Sequence, residues 1–411
     1  MTASVATEPV HTDEGRAITE IPEFARLPAP DLSPAALAAV TTAVAATAAE
    51  YDRTGEVPVA GLEIAHRAGL LTATVGREFG GPGLDPLDTA RILIALGEGD
   101  TSVALLAANN LNTHQGQAAA HNWPAELYRD YLARSLREPT LANTIRAEPE
   151  LGAPARGGLP TTSARRTTDG WVLNGHKSYA TGVRALAYHV VWVVAEEEQA
   201  DEPRVGHLIV ESDTPGIDWV DTWDHLGLRA SNTHDVIYRD VLVPEQNFVE
   251  IPRGPDGVYR DPAAATALTS FGHAAIYIGV ARAARTAFVD FARTRVPTAL
   301  GRPIATTERI QTIAGEIDAQ IAQAETLLFG ALLRAQAGDT AHLRQLSLIK
   351  VQIARSVIAA VSTAAGALGN AGLTRHLPFE RLLRDVHCVR VHPPQEDAAL
   401  LVAGRGLLLP D

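Results

Sequence analysis

The residues of this sequence that are best suited to chemistry lie near its C-terminal end, in the stretch VHPPQED at positions 391–397. His392 carries an imidazole whose ordinary pKa lies close to neutral pH, so it can exchange a proton under working conditions. Two prolines follow, and because proline lacks an N–H and crowds the preceding turn, a helix must end here. Three interpretations are open: a catalytic loop, a metal site, or a break between two helices.

A metal site would combine His387 and His392 with Asp385 or Asp397. A histidine that caps or packs a turn is the more frequent outcome for such a pair. No HExxH or paired CxxC motif offers a zinc site, so we predict no metal. The sequence also lacks a phosphate-binding GxxxxGK[ST] loop and a GxSxG nucleophile turn.

The elements that must position these residues follow from hydrophobic periodicity. A helical pattern begins with Ser33 as N-cap and Pro34 as first helical residue. A β-rich region follows, with a hairpin predicted around Asn174-Gly175, and then the helical period returns with two long apolar stripes. We predict an α+β protein with a mobile arm over 1–30, a helical domain over 31–140, a middle β domain over 141–262 and a helical bundle over 263–411.

Composition limits the partners of this chain of 411 residues. Its formal net charge of −13 opposes binding to nucleic acid or to an anionic membrane surface. Its apolar runs, such as AYHVVWVVA, are too short to span a bilayer. Cys388 is the only cysteine, which excludes an internal disulfide, and no signal-peptide pattern is visible. These features predict a cytoplasmic protein that acts on a small molecule, with no nucleic-acid or membrane partner.

Five stretches of the chain carry motifs in a recognisable order. They are VGREFGGPGLDPLDTARILIALGEGDTSVAL, IRAEPELGA, LNGHKSYATG, HLGLRASNTHDVIYRDVLVPEQNF and LGNAGLTRHLPFERLLRD. Together they resemble the acyl-CoA dehydrogenase superfamily of flavoproteins over about residues 35–409. The resemblance implies an N-terminal helical domain, a middle β-barrel-like domain and a C-terminal four-helix bundle, assembled as a homotetramer.

The resemblance implies flavin contacts at four residues of the middle domain. Thr144 and Arg146 fall where the chain before Glu-Pro meets the isoalloxazine ring. Tyr179 matches an aromatic residue that packs on the ring, and Thr181 matches a hydroxyl that reaches flavin N5. In isolation Tyr179 and Thr181 would be a core aromatic and a strand-end threonine, but inside the matched segment the flavin roles are favoured.

The resemblance also implies contacts with the rest of the cofactor. Arg295 matches an arginine that pairs with the FAD pyrophosphate, a role suited to a bidentate guanidinium. Gly369, Asn370 and Gly372 match a small-residue loop that approaches the dinucleotide of a neighbouring subunit, where a Cβ would obstruct the backbone. These features favour FAD over FMN.

The catalytic carboxylate of an acyl-CoA dehydrogenase is missing from both positions where the family keeps it. That base removes the α-proton of the substrate and must lie within hydrogen-bond reach of it. The matching positions hold Pro393 and Thr269, and Ala267 and Ser270 replace an aspartate and an arginine that help to hold the thioester. Because losing a positioned base slows such a step ~10²–10⁴-fold, dehydrogenation is disfavoured.

Two acids that follow Pro393 leave an alternative open. Glu396 and Asp397 fall in the first turn of a predicted helix, where acidic side chains are stabilised by the helix dipole. Either of them could instead serve as an unusual base. The resemblance instead implies that Gln395 and Asp397 contact the cofactor. An acyl-CoA or acyl-carrier dehydrogenase with an unusual base is therefore the alternative function, and a non-catalytic flavin-fold binding protein is a lesser one.

A flavin scaffold without that base resembles the monooxygenase branch of the superfamily, which includes dibenzothiophene monooxygenase and the amino-sugar nitrososynthases. The resemblance implies a two-component enzyme that takes reduced flavin from a separate reductase and oxygenates a small molecule through O₂ and a C4a-hydroperoxyflavin. His392 matches a histidine of some members, which implies that it positions or deprotonates a substrate heteroatom or hydrogen-bonds the hydroperoxide. Thr181 is a second catalytic candidate, as a hydrogen-bond donor near the flavin.

Overall fold

The computed structural model describes residues 24–151, 159–197, 204–255, 257, 259, 269–339 and 345–409. The elements follow the order helices, strands, helices, so the predicted α+β class with three regions is confirmed. Ala267, which was predicted to replace an aspartate that helps to hold the thioester, lies outside the described residues.

From residue 24 onward, where the structure describes the chain, the N-terminal region contains five α-helices: Pro34–Thr54 (α1), Val59–Arg67 (α2), Pro86–Gly99 (α3), Thr101–Ala120 (α4) and Ala125–Ser135 (α5). The predicted start of α1 is confirmed, since the Ser33 hydroxyl accepts a hydrogen bond from the Ala36 amide at 3.3 Å and Pro34 occupies the first position. Asp85 and Asp100 cap α3 and α4 in the same way. Side-chain capping therefore defines where the long helices of this region begin.

Residues 24–30, at the end of the segment interpreted as an arm, pack against this region. Leu27 is buried, and its amide donates to the Gly80 carbonyl at 3.0 Å. Phe24 contacts Phe79 edge to face, with ring centroids 5.3 Å apart. This part of the arm therefore belongs to the helical domain.

The middle region is one sheet of eight strands among the described residues: Leu141–Ile145 (β1), Ser163–Thr167 (β2), Gly170–Ala180 (β3), Leu186–Glu196 (β4), Arg204–Glu211 (β5), Ile217–Val220 (β6), His234–Val243 (β7) and Phe248–Glu250 (β8). The strand order is β6-β7-β3-β2-β4-β5-β8, and β1 runs parallel to β4. The β-branched strand β4 is buried along nearly its whole length, as expected for a strand covered on both faces.

The hairpin predicted at Asn174-Gly175 is wrong. β3 continues through these residues and pairs with β7 on both sides, Leu173 opposite Val241 and Gly175 opposite Tyr238, with a register shift between the two pairs. The Asn174 amide exchanges hydrogen bonds with Asp240 across the strands, at 3.0 and 2.9 Å. A bulge therefore absorbs the Asn-Gly pair, because sheet pairing on both sides outweighs its local turn preference.

Among its described residues, the C-terminal region contains five α-helices: Thr269–Thr294 (α6), Glu308–Gln336 (α7), Leu346–Gly366 (α8), Phe379–Val386 (α9) and Glu396–Leu408 (α10). The two predicted stripes form the core, since Ile317 and Leu328 on α7 and Ile353 and Val361 on α8 are buried. α8 is long and apolar enough to span a membrane by length and composition alone, but more than half of it is buried inside the protein. The predicted break at His392-Pro393-Pro394 is confirmed, because α10 begins only at Glu396.

Two glycines let α6 approach α3 closely. A Cβ on Gly97 would lie 2.2 Å from the Ile276 carbonyl oxygen, and a Cβ on Gly279 would lie 2.3 Å from that of Ile94. The helices therefore pack backbone to backbone. This contact fixes the position of α6, which carries residues of the site described next.

The consecutive residues Arg384 and Asp385, at the end of α9, connect the three regions. The Arg384 guanidinium forms a bidentate pair with Asp52 of α1, at 2.9 and 2.6 Å, and also donates to Glu380. The Asp385 carboxylate accepts from the Leu228 amide of the middle region at 2.8 Å. The loop that follows α9 is therefore held at the junction of all three regions.

Candidate active site

A cavity of about 350 Å³ lies where the three regions meet. One wall is the polar face of α4, a second is formed by β1, β4, β5 and β8, and a third by α6 and the loop before α10. The lining residues used below are Asn109, Asn112, Asn143, Thr144, Arg146, His207, His273 and Pro393. The position where dehydrogenases keep a glutamate, Pro393, thus lies in the wall of the cavity.

Strand β1 presents two of the predicted flavin contacts to the cavity. Thr144 and Arg146 both line it, and their neighbour Asn143 donates to the Thr181 carbonyl at 3.1 Å. The Thr181 hydroxyl accepts from the Thr233 hydroxyl at 3.2 Å. The structure thus brings Thr144, Arg146 and Thr181 to one end of the sheet.

A buried ion pair fixes the backbone that follows Arg146. Glu148 and Lys177 are both excluded from solvent, and their charged atoms are 2.8 Å apart. Burial opposes the charge of the Glu148 carboxylate, but hydrogen bonds from Lys177, Thr162 and Thr161 outweigh it and lower its pKa to about 2. The glutamate of the Glu-Pro motif therefore anchors this segment to β3.

Tyr179 presents an aromatic face beside this end of the sheet. Its ring is 61% exposed, and its backbone is left-handed with φ of 54°. The Tyr179 ring meets His225 edge to face at 6.2 Å, and His225 in turn stacks on Trp223 with centroids 3.7 Å apart. An exposed ring held in a strained backbone conformation is typical of a ligand-binding position.

Two histidines stack at the helical side of the cavity. The rings of His273 and His392 have centroids 4.6 Å apart and planes inclined by 23°. His273 lines the cavity, whereas His392 Nε2 lies 2.7 Å from the Tyr277 hydroxyl. Burial, assisted by the Lys350 ammonium, lowers the pKa of His273 to about 4, and burial, assisted by the neighbouring His273 and by the Lys350 ammonium, lowers the pKa of His392 well below its ordinary value. Both imidazoles are therefore neutral at pH 7.

Lys350 holds the loop that carries His392. Lys350 belongs to the apolar helix α8 and is only 2% exposed. Its ammonium donates to the carbonyls of Val389, His392 and Pro394 at 2.8, 2.8 and 3.2 Å. The ammonium thus uses all three of its donors on one loop. This contact determines where Pro393 and the histidine pair lie relative to the cavity.

The acids after Pro393 lie outside the cavity lining. Glu396 pairs with Arg355 of α8, with a nitrogen–oxygen distance of 3.0 Å, and Asp397 is exposed. The Gln395 amide donates to the Val391 carbonyl at 3.3 Å, which leaves its oxygen at the start of α10. None of the three is among the described residues that line the cavity.

A second, open cavity of about 580 Å³ lies at the far end of α6. Arg295 and Asn370 both line it, so two predicted dinucleotide contacts share one surface. Gly372 is required by packing within the chain, since a Cβ there would lie 2.0 Å from the Ala365 carbonyl oxygen, and Gly369 has a left-handed φ of 58° with open space around it. The cofactor roles predicted for this loop remain predictions.

Three of the cavity residues that were not predicted from the sequence, His273, Asn109 and Asn112, have roles in the proposals below. His273 lies one helical turn after Thr269, on the same face of α6, and this spacing is the signal that could have indicated it. Asn109 and Asn112 belong to a polar run in a helix that is otherwise buried and apolar, which is a second usable signal. Among the described residues no group of histidine, cysteine and acidic side chains is arranged to hold a metal ion.

The residues present fit a flavin. Arg146, a permanent cation, and the Thr144 hydroxyl line one cavity, and the exposed aromatic ring of Tyr179 lies near the C-terminal end of β3. Flat aromatic cofactors are held by such a combination of ring packing and a few polar groups. The fold and this site together define a flavin-dependent oxidoreductase.

Comparison with known proteins shows the family. Models of the N-terminal, middle and C-terminal domains of acyl-CoA dehydrogenases match residues 32–136, 144–241 and 271–394. The chain belongs to the acyl-CoA dehydrogenase superfamily, which confirms the resemblance described above. The superfamily includes both dehydrogenases and monooxygenase-like enzymes.

Relatives of both kinds are similar to this chain. The L-evernosamine nitrososynthase of a Micromonospora species is 30% identical over 393 residues, covering 90% of this chain and 89% of the relative. The putative acyl-CoA dehydrogenase YdbM of Bacillus subtilis is 29% identical over 356 residues, covering 86% and 91%. The structure of KijD3 in complex with FMN and a dTDP-linked amino sugar superposes with a TM-score of 0.74 at 26% identity, covering 92% of this chain and 95% of KijD3.

Proposed function

We propose that this protein is a two-component flavin-dependent monooxygenase, which receives reduced flavin from a separate reductase and uses O₂ to oxygenate a small molecule. One observation carries the proposal. Among the described residues that line the cavity there is no aspartate or glutamate, and Pro393 occupies the place of the dehydrogenase base. A neutral imidazole, that of His273, faces the same space.

The chain's own residues have the following roles in this proposal. Bound reduced flavin supplies the electrons that activate O₂. Thr144 and Arg146 hold the ring system from the side of the sheet, and Tyr179 packs against it. His273 accepts a hydrogen bond from the substrate heteroatom and orients its lone pair, while His392 supports the His273 ring through the stack and is itself fixed by Tyr277. An uncharged imidazole suits this role because its unprotonated ring nitrogen has a lone pair that can accept a hydrogen bond.

The dehydrogenase alternative requires a base, and the structure offers poor ones. Glu396 is engaged with Arg355, and Asp397 is exposed on the first turn of α10. Neither acid lines the cavity, so neither lies within the hydrogen-bond reach that proton abstraction needs. Among the described residues that line the cavity, an acyl-CoA substrate would therefore meet no carboxylate to remove its α-proton.

The relatives support the oxygenase side of the proposal. One similar protein is named a nitrososynthase, and another, KijD3, binds FMN together with a dTDP-linked amino sugar. Both favour oxygenation at nitrogen. The second cavity, with Arg295 and Asn370, favours FAD over FMN, because only FAD carries the additional phosphate and adenosine. We also propose that the protein is cytoplasmic and forms a homotetramer.

Two experiments test the function, the first carried out without O₂ and the second started by adding O₂. Addition of butyryl-CoA to the protein loaded with oxidised flavin should leave the visible absorbance of the oxidised flavin unchanged, and bleaching would overturn the proposal. Flavin that is reduced chemically on the protein and then mixed with O₂ should pass through a transient absorbance, distinct from those of reduced and oxidised flavin, before reoxidation. Direct reoxidation without that transient, together with no bleaching, would favour the non-catalytic binding protein.

A further inference from the structure

The polar face of α4 is unusual for a helix in its position. α4 is buried along most of its length, and its core-facing residues include Val103, Leu106 and Leu111. Asn109 and Asn112, three residues apart, lie on one face and line the cavity. Two carboxamides thus interrupt an otherwise buried helix at the point where it borders the cavity.

The two carboxamides differ from those of Asn110 and Gln117 on the same helix. Asn110 is fully engaged: its nitrogen donates to the Leu71 carbonyl at 2.9 Å, and its oxygen accepts from the Ala142 amide at 2.8 Å and from Tyr131. Gln117 accepts from two backbone amides at the helix end. Within the described part of the chain, the side chains of Asn109 and Asn112 have no hydrogen-bond partner.

An occupant of the cavity must therefore satisfy these amides or desolvate them. Each carboxamide offers one acceptor oxygen and two donor hydrogens, which match hydroxyl, amino and carbonyl groups. A hydrocarbon chain or an unsubstituted aromatic ring would displace their water and return no hydrogen bond, and such unpaired burial is strongly unfavourable. The wall favours a ligand with several polar groups and disfavours an acyl chain.

We propose that Asn109 and Asn112 form a substrate-recognition subsite that hydrogen-bonds hydroxyl, amino or carbonyl groups of a ring with several polar substituents, such as a sugar. The assignment rests on the proposed function, because it takes the occupant to be the molecule that is oxygenated. The two residues are specificity determinants, and they act before any chemistry. Their role can be tested by binding alone.

The test measures binding to the flavin-loaded protein without O₂, by calorimetry, with three probes: dTDP-3-amino-2,3,6-trideoxy-4-keto-3-methyl-D-glucose, indole and hexanoyl-CoA. Asn109→Leu/Asn112→Leu should bind the sugar nucleotide at least about tenfold more weakly than the wild type and should bind indole as well or better. Gln115→Leu, on the same helix but outside the cavity lining, should leave all three affinities unchanged. The single variants Asn109→Ala and Asn112→Ala repeat the measurement with a smaller change in case the double variant does not fold.

Three outcomes overturn the assignment. They are unchanged sugar-nucleotide affinity in the Asn variants, tighter binding of hexanoyl-CoA or indole than of the sugar nucleotide by the wild type, and a loss of flavin affinity in the variants, which would make the amides cofactor contacts. A wild type that binds none of the probes overturns it as well. Because no turnover is measured, these results are independent of the flavin-bleaching test, which alone decides between oxygenase and dehydrogenase.

Discussion

The imidazoles of His273 and His392 lie stacked with ring centroids 4.6 Å apart, although they come from different helical segments. Only His273 faces the cavity, while His392 is held from behind by the Tyr277 hydroxyl. The histidine that the sequence singles out is thus placed as support for another histidine. This arrangement gives the two residues separable roles.

Replacement of His273 by asparagine should lower the turnover number by about 10²–10³-fold, because a positioned hydrogen-bonding group is lost from the cavity. Flavin affinity should change little. Tyr277→Phe keeps the ring but removes the hydroxyl bound to His392, and it should lower turnover by only about tenfold. Steady-state kinetics and flavin fluorescence titration of both variants provide the measurement, and a larger effect for Tyr277→Phe would contradict the roles assigned here.

Lys350→Met should destabilise the protein by about 1–3 kcal/mol, because the carbonyls of Val389, His392 and Pro394 lose their common donor. Part of this loss is offset, since methionine removes a buried charge. Urea denaturation followed by circular dichroism gives the free energy of unfolding. Arg334→Met, which breaks the exposed pair with Asp339, is the matched control and should change stability by less than about 0.5 kcal/mol.

The chain has only two lysines, Lys177 and Lys350, and both are buried. Acetylation with a soluble amine-reactive ester should therefore leave both side chains unmodified in the native protein. The same reagent in 8 M urea should modify both. Peptide mass spectrometry distinguishes the outcomes, and rapid native acetylation of Lys350 would show that the loop before α10 opens readily.

Asp100 should make stability depend on pH. It caps α4, and burial raises its pKa to about 6, with Asp385 adding to the effect and Arg381 opposing it. Because its folded pKa is higher than its unfolded pKa, its contribution to stability is full below pH 4 and is lost as pH rises through about 6. Asp100→Asn, which keeps an acceptor for the cap, should remove up to about 3 kcal/mol of this variation. Urea denaturation at pH 4, 5, 6 and 7 provides the measurement, and parallel pH profiles for the two proteins would refute it.

Arg295→Gln should weaken FAD binding by about tenfold and leave FMN binding nearly unchanged, because FMN lacks the second phosphate. The FMN titration of the same variant serves as the internal control. Fluorescence quenching on titration of the apoprotein with each flavin measures both dissociation constants. Equal losses for the two flavins would indicate that Arg295 acts on the fold, and no loss for FAD would remove it from the cofactor site.

Much of the architecture could be predicted because it depends on short-range patterns. The stripes of α7 and α8, the cap at Ser33 and the break at Pro393 are each set by residues within a few positions of one another. The family motifs likewise lie in continuous stretches. The hairpin predicted at Asn174-Gly175 was wrong because it depends on a long-range contact. The strand that keeps β3 continuous through these residues is β7, which lies far along the chain.

The sequence by itself determined the order of the three regions, the family and the absence of a glutamate at Pro393. Only the tertiary structure decided which side chains face the cavity. His273 lines it whereas Glu396 does not, and Asn109 and Asn112 line it whereas Asn110 does not. The physical reason is that a side chain's surroundings come from distant segments. His392 meets Tyr277 across 115 residues of chain, and no local pattern records that contact.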